Sequence, residues 1–352
     1  MSDDHLSNEV SLSAELTERG VKAGAKSRTI SSIDRLLGGV VDLVNVPLER
    51  SARKGRAKTD AEVAVIEALG AKQLEAIHAD PDFAARAMQQ HLKAIGTRHG
   101  NKTEAVRAAI EDLSETPPTE GQNNSAEERL DEAFLNRWEH YAEEATSEQI
   151  REKWGRVLAS EIRMPGTFST KVMRIVDELD PSVAALFERV CASRVADVVL
   201  KAVSGLLPFS EITSLVNAGL VVDVGAVGQV GLANEIVDDS GAELWLMSFA
   251  PYALTLPRTA TIPHRQGHTT PIFEEKGKPA IPVYILTDAG SAVASIINTD
   301  PEKAIFKQAE MVSKAVPGVE VRIYKNTSES SMTAIATRYT PVASVEPPPH
   351  PV

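Results

Sequence analysis

Apolar residues recur along most of this chain at helical spacing. Ile33, Leu36, Leu37, Val40, Val41 and Val44 follow an i, i+3, i+4, i+7 stripe, interrupted by Gly38-Gly39 and ended at Pro47. Residues 59–77, rich in Ala, Glu, Val, Leu and Lys, predict a long helix. A second is expected over 81–95, with Asp80 as cap, Pro81 in the first turn and Gly96 as stop. A third is expected over 103–113, capped by Thr103. Leu130, Phe134, Leu135, Trp138 and Tyr141 place a helix within 126–145, with Glu and Arg on its other face.

The most strongly patterned stretch is 154–169. Trp154, Val157, Leu158 and Ile162 mark one helix up to Pro165-Gly166, and Ser169 can cap the next, which carries Val172, Met173, Ile175, Val176 and Leu179. Proline disfavours helix in the residue before it, and glycine permits positive φ, so the block reads as a structural hinge at the corner of a helical hairpin. A further helix is expected over 181–200, with Asp180 as cap.

Beyond Gly205 the pattern changes. A short helix, 211–217 with Ser210 as cap, ends in Ala218-Gly219-Leu220 and leads to Val221-Val222-Asp223-Val224. Two β-like runs follow at 244–249 and 281–286, then Thr287-Asp-Ala-Gly290 and an apolar helix at 293–297. This cadence is that of winged-helix domains. Residues 301–315 predict a helix, and 319–324 and 332–338 predict strands.

The expected fold is therefore mainly α: helical N-terminal and central regions followed by a winged-helix-like α+β region. The divisions are an arm at 1–30, a helical region at 31–113, a linker at 114–126 with Pro117-Pro118, a central helical domain at 127–204, the winged-helix-like region at 205–340 and a proline-rich tail at 341–352.

Composition narrows the function. The chain has 352 residues, 43% of them hydrophobic, and a net charge of -12, which disfavours specific nucleic-acid binding because phosphate contacts need clustered Lys and Arg. The short helix at 211–217 offers a DNA groove no basic residue. The single cysteine, Cys191, forms no intrachain disulfide, and the polar, acidic start is unlike a signal peptide, so a cytoplasmic protein is expected. One cluster departs from the acidic balance. Arg50, Arg53, Lys54, Arg56 and Lys58 follow the apolar stripe of 33–46, and together they suit either a solvated basic turn or peripheral contact with an anionic inner membrane.

No linear motif holds a catalytic or cofactor site. Residues 96–103 resemble a P-loop, but the spacing is one residue short, Asn101 stands in place of the second glycine, and a helix precedes it where a strand is required. Gly225 to Gly231 misplaces the second glycine of a dinucleotide fingerprint and reads as a polar turn series. Glu139, His140, Glu143 and Glu144 lack the spacing of helical metal sites, and His264 and His268 fall in a loop without a third ligand. No catalytic residue, metal ligand or cofactor is expected from these motifs.

The block formed by Trp154, Leu158, Ala159, Glu161, Ile162, Pro165, Gly166, Phe168 and Ser169 resembles the signature of DUF2806, a bacterial family of unknown function akin to the abortive-infection alpha group. Leu36-Leu37-Gly38 with the basic turn to Lys58, and Leu286-Thr-Asp-Ala-Gly290, extend the resemblance over most of 31–325. It implies a helical, cytosolic bacterial protein from phage-defence or mobile-element settings, and no reaction.

Three functions compete. The leading one is a non-enzymatic interaction protein, a sensor or adaptor in phage defence with a protein partner or a second copy. The others are a winged-helix transcriptional regulator and a hydrolase or nuclease whose residues converge only in three dimensions. The basic cluster generates a test of its own: if it meets a membrane, the protein will co-sediment with anionic vesicles and be released as salt screens the attraction. Equal binding to neutral and anionic vesicles, or none to either, would return the cluster to a solvated turn.

Overall fold

A computed structural model describes residues 81–118, 129–223, 229–328 and 331–342, with Thr29, Ser31, Ser32, Ile33, Arg35 and Leu36. The predicted helix at 59–77 lies outside the described residues. Two compact units divide the chain, Met1–Thr170 and Lys171–Val352.

In the first unit, α1 (Pro81–Glu115), α2 (Glu132–Glu143) and α3 (Glu148–Arg163) pack together. Ala105, Val106, Ala109 and Leu113 of α1 are buried, as are Phe134, Leu135 and Trp138 of α2 and Trp154, Val157, Leu158 and Ile162 of α3. Burying one large apolar side chain contributes about 1.5–3 kcal/mol, so this layer is the main stabilising term. α1 and α3 touch backbone to backbone at Gly155: a Cβ there would lie 2.6 Å from Ala108 Cβ and 2.9 Å from the Ala105 carbonyl oxygen. Ser147 caps α3 by accepting from the Ile150 amide.

α1 is one helix where two are predicted. Gly96 does not stop it, and the Thr103 hydroxyl donates to the His99 carbonyl at 2.9 Å in mid-helix instead of capping a new one. The override is tertiary: buried Asn101 and Lys102 are bonded to α2, which holds the weak turn in helical form.

The second unit holds α4 (Thr170–Glu178, whose first residue closes the first unit), α5 (Pro181–Cys191), α6 (Lys201–Ser204), α7 (Phe209–Asn217), α8 (Asp288–Ser295) and α9 (Pro301–Ala315). Its strands are β1 (Arg194–Val195), β2 (Val198–Leu200), β3 (Gln229–Leu232), β4 (Asn234–Val237), β5 (Glu243–Phe249), β6 (Tyr252–Pro257), β7 (Phe273–Glu275), β8 (Lys278–Ile285), β9 (Glu320–Ser328) and β10 (Ser331–Tyr339). They form two antiparallel five-stranded sheets, one ordered β1-β2-β8-β3 with β7 also on β8, the other β10-β9-β6-β5-β4. The run through β3 and β4 changes sheets at buried Ala233, whose amide donates to the Pro279 carbonyl at 2.9 Å. Ile305, Ala309 and Val312 of α9 share one core with Trp245, Met247, Leu254, Ile281, Val283 and Ile323 from both sheets.

The fold is thus α+β, with 50% of the described residues helical and 22% in strands, and the expectation of a mainly α chain ending in a winged-helix-like region is corrected. The two landmarks behind that expectation do meet: Thr287 donates its hydroxyl to the Gly219 carbonyl, its amide bonds the Leu220 carbonyl at 3.1 Å, and the backbone of Gly290 presses on the same carbonyl. Between them, however, lie β3 to β8, which supply strands to both sheets. Gln229 to Gly231, read as part of a turn series, belong to β3. Similarly, the helix expected over 181–200 ends at Cys191, and Val195, Val198 and Val199 form a hairpin turning at Ala196, with φ 52°. A short apolar run cannot declare its period, and pairing of β2 with β8 decides it.

Gly155→Val will force α1 and α3 apart and destabilise the fold by about 1–3 kcal/mol, as overpacking does. Urea unfolding of the variant with an unchanged midpoint would show that the two helices do not need this contact.

Candidate functional site

The residues singled out by sequence fall largely on the end of α3 and the turn after it. Trp154 and Leu158 are buried in the first unit's helical layer. The Trp138 indole donates to the Trp154 carbonyl at 2.8 Å, and the Tyr141 and Trp154 rings stack 4.6 Å apart. Pro165 follows the end of α3, Gly166 takes φ 89°, Phe168 is buried, and Ser169 is exposed directly before α4.

Glu161 ties this turn together. Only 3% exposed, its carboxylate accepts from the Gly166 amide at 2.6 Å and the Phe168 amide at 2.8 Å. Successive amides in a turn make an anion-binding concavity, and here the chain fills it with its own acid. Burial pushes the Glu161 carboxyl above its usual range, and the amides of Gly166, Phe168 and Thr167 pull it back. At the same helix end, Arg163 donates to the carbonyls of Thr116 at 2.8 Å and Asp112 at 2.7 Å and pairs with the Asp112 carboxylate, satisfying the open carbonyls where α1 ends. These are structural roles.

The P-loop-like segment is likewise occupied. Lys102 donates to Glu139 Oε1 at 2.6 Å, and Arg35 bonds the other oxygen of that carboxylate, Glu132 and Asn136. Asn101 bridges the Glu143 carbonyl and Arg151. His140 is exposed beside Tyr141, and His264 and His268 are exposed in the loop 258–272 of the second unit. Among the described residues, no three His, Cys, Asp or Glu side chains gather as metal ligands. Burial pushes the Cys191 thiol up to about 12, which leaves it protonated. Arg50, Arg53, Lys54, Arg56 and Lys58 lie outside the described residues. No described helix is long and apolar enough to cross a membrane.

Sequence reasoning placed a helix over 81–95 but missed its surface. Every described side chain from Asp82 to Gly100 is exposed, including Met88 at 58%, Leu92 at 60% and Ile95 at 49%. Their i, i+4, i+7 spacing puts them on one face of an arm about 30 Å long. The stripe was visible in the sequence; its exposure was not, because periodicity marks a face without saying what covers it. Arg86, Lys93 and Arg98 against Asp82 make this arm basic.

In the second unit, two hollows of about 650 and 580 Å³ flank the start of α9. At the smaller, Tyr252 Oη and Lys325 Nζ each donate to Glu302 at 3.1 Å. The bonds from Lys325 and then Tyr252 hold the exposed Glu302 carboxyl below its usual range, so it is an ionised acceptor already engaged by its neighbours.

Two tests follow from the turn. Gly166→Val will destabilise by about 1–2 kcal/mol because a β-branched residue resists positive φ; an unchanged melting temperature refutes it. Glu161→Gln leaves a buried amide donor without its acceptor, at a cost of about 1–3 kcal/mol. Because the folded carboxyl is raised, its contribution is complete below the unfolded value of 4.5 and is lost as pH rises through the folded value. The difference between wild type and variant will therefore narrow from acid toward neutral pH in denaturant titrations, and a difference that widens would contradict the assignment.

Comparison with known proteins adds one result. No curated protein and no solved structure matches the chain. Residues 94–202, from within α1 through α2, α3, α4, α5 and the β1–β2 hairpin into α6, match the family described as Protein of unknown function (DUF2806). Over these elements, and not over the rest of its length, the chain is similar to the DUF2806 family.

Proposed function

We propose that this chain is a non-enzymatic interaction protein that docks an acidic amphipathic helix of a protein partner along the first half of α1. The observation that carries the reading is the exposed stripe of Met88, Leu92 and Ile95 on a helix whose other half is packed in the first unit. A helix-in-groove partner reads such anchors at i, i+4 and i+7. Arg98 flanks the stripe, and Arg86 and Lys93 on the other side of the helix add to the positive charge of the arm, which disfavours a second basic arm and favours an acidic partner over a second copy. The polar residues of the family block are engaged in holding the helices together, in keeping with a scaffold for the arm. A role as sensor or adaptor in bacterial phage defence is part of the same proposal and rests on the resemblance of the central block.

The test uses the full chain and a helical peptide with Leu at one face and Glu on its flanks. Wild type will bind it by fluorescence anisotropy, and Leu92→Glu will weaken binding about tenfold or more, since a buried leucine contributes about 1.5–3 kcal/mol. The variant's melting temperature will stay unchanged because Leu92 is exposed. Equal binding by both proteins overturns the proposal. Self-association in light scattering that Leu92→Glu abolishes would replace the partner by a second copy.

A further inference from the structure

Buried charges in this protein normally have a partner, as Glu161, Lys102 and Arg163 do. Among the described residues, two cations of the second unit do not. Lys201, directly after β2, is only 4% exposed, yet among the described residues its ammonium meets no carboxylate and no hydrogen-bond acceptor. Its contact is with the face of the Tyr284 ring, 4.4 Å from the centroid. Arg265, from the loop 258–272, lies over the Phe273 ring at 4.9 Å, and its Nη2 is buried with no hydrogen-bond partner.

The sheet explains why they share a surface. Phe273 of β7 is opposite Ala280 of β8, and Tyr284 follows four residues along β8, so alternation puts both rings on the same face. Leu200 pairs with Val283, whose side chain belongs to the core on the opposite face, and Lys201 is the next residue. One face of the sheet thus carries two aromatic platforms, each with a cation on it. Burial lowers the Lys201 pKa, and the charge of Arg265 lowers it further. A ring face offsets part of the desolvation of a cation but offers no acceptor for its hydrogens.

We propose that Lys201 and Arg265 form a binding site for a phosphate-bearing anion on this face of the sheet. The guanidinium matches oxyanions through paired donors, and the ammonium adds a point charge. Two unpaired positive charges suit a dianionic phosphate better than a single carboxylate. Neither residue belongs to the Glu161 turn or the α1 arm, so this site stands independently of the docking reading.

The test is a melting series of the full-length protein in inorganic phosphate and in pyrophosphate, against sodium acetate and sodium chloride at matched ionic strength. Saturable stabilisation by either phosphate beyond the two controls is expected, as mass action requires of a ligand that binds only the folded state. Calorimetric titration will place the loss at about tenfold or more in affinity for Lys201→Met and for Arg265→Ala, since each removes a charge-assisted contact. Arg265→Lys, which keeps the charge but not the fork, will fall between Arg265→Ala and wild type. The unliganded Lys201→Met protein will melt no lower than wild type, because it loses an uncompensated buried charge, so loss of binding will not reflect loss of fold. Stabilisation equal to that by chloride, or phosphate binding unchanged in both variants, overturns the site.

Discussion

The first unit depends on an absence of side chain. At Gly155 the backbone of α3 lies so close to Ala105, Ala108 and Ala109 of α1 that a methyl group would overlap three atoms. Helices that approach this closely bring their flanking large residues into one layer, which is how Trp138, Trp154, Leu158 and Leu113 all become fully buried. Glycine in a helix costs about 1 kcal/mol relative to alanine, and the packing it permits exceeds that cost. The polar ties at the end of α3, Arg163 to α1 and Glu161 to the following turn, then act on helices already in place.

Those ties separate architecture from recognition. A buried polar group that finds its complement within the chain, as the Glu161 carboxylate finds two amides, is fully used in holding the fold. A buried cation without a complement leaves its desolvation unbalanced, and the imbalance favours any ligand that supplies the missing charge. Lys102 and Lys201 make the contrast: both are buried lysines, one on a carboxylate at 2.6 Å and the other on a ring. The same reasoning applies to apolar surface. α1 spends one half on the core and presents the other as an exposed stripe, and exposed apolar area is stabilised only when something covers it.

How much of this was legible in the sequence depended on how local its causes were. Residues 301–315 were readable end to end because Asp300 caps the helix and Pro301 starts it, and both act within one turn. The strands β9 and β10 were readable in part, as the runs 319–324 and 332–338, though not their pairing, and the Glu161 block was readable from its dense pattern before Pro165-Gly166. The merger of two expected helices into α1 was not, because it hangs on Asn101 and Lys102 reaching α2, some forty residues away in sequence.

The sequence by itself determined where helices carry apolar faces and where Pro165 and Gly166 break the chain. Only the tertiary structure decided that the region after Gly205 builds two five-stranded sheets, since strand identity there comes from pairing with β8 and β6 over long separations. It alone decided that Met88, Leu92 and Ile95 are exposed and that Lys201 and Arg265 each rest on an aromatic ring. The physical reason is the same in each case: periodicity and caps are properties of neighbouring residues, whereas exposure and charge compensation are properties of what the fold brings near.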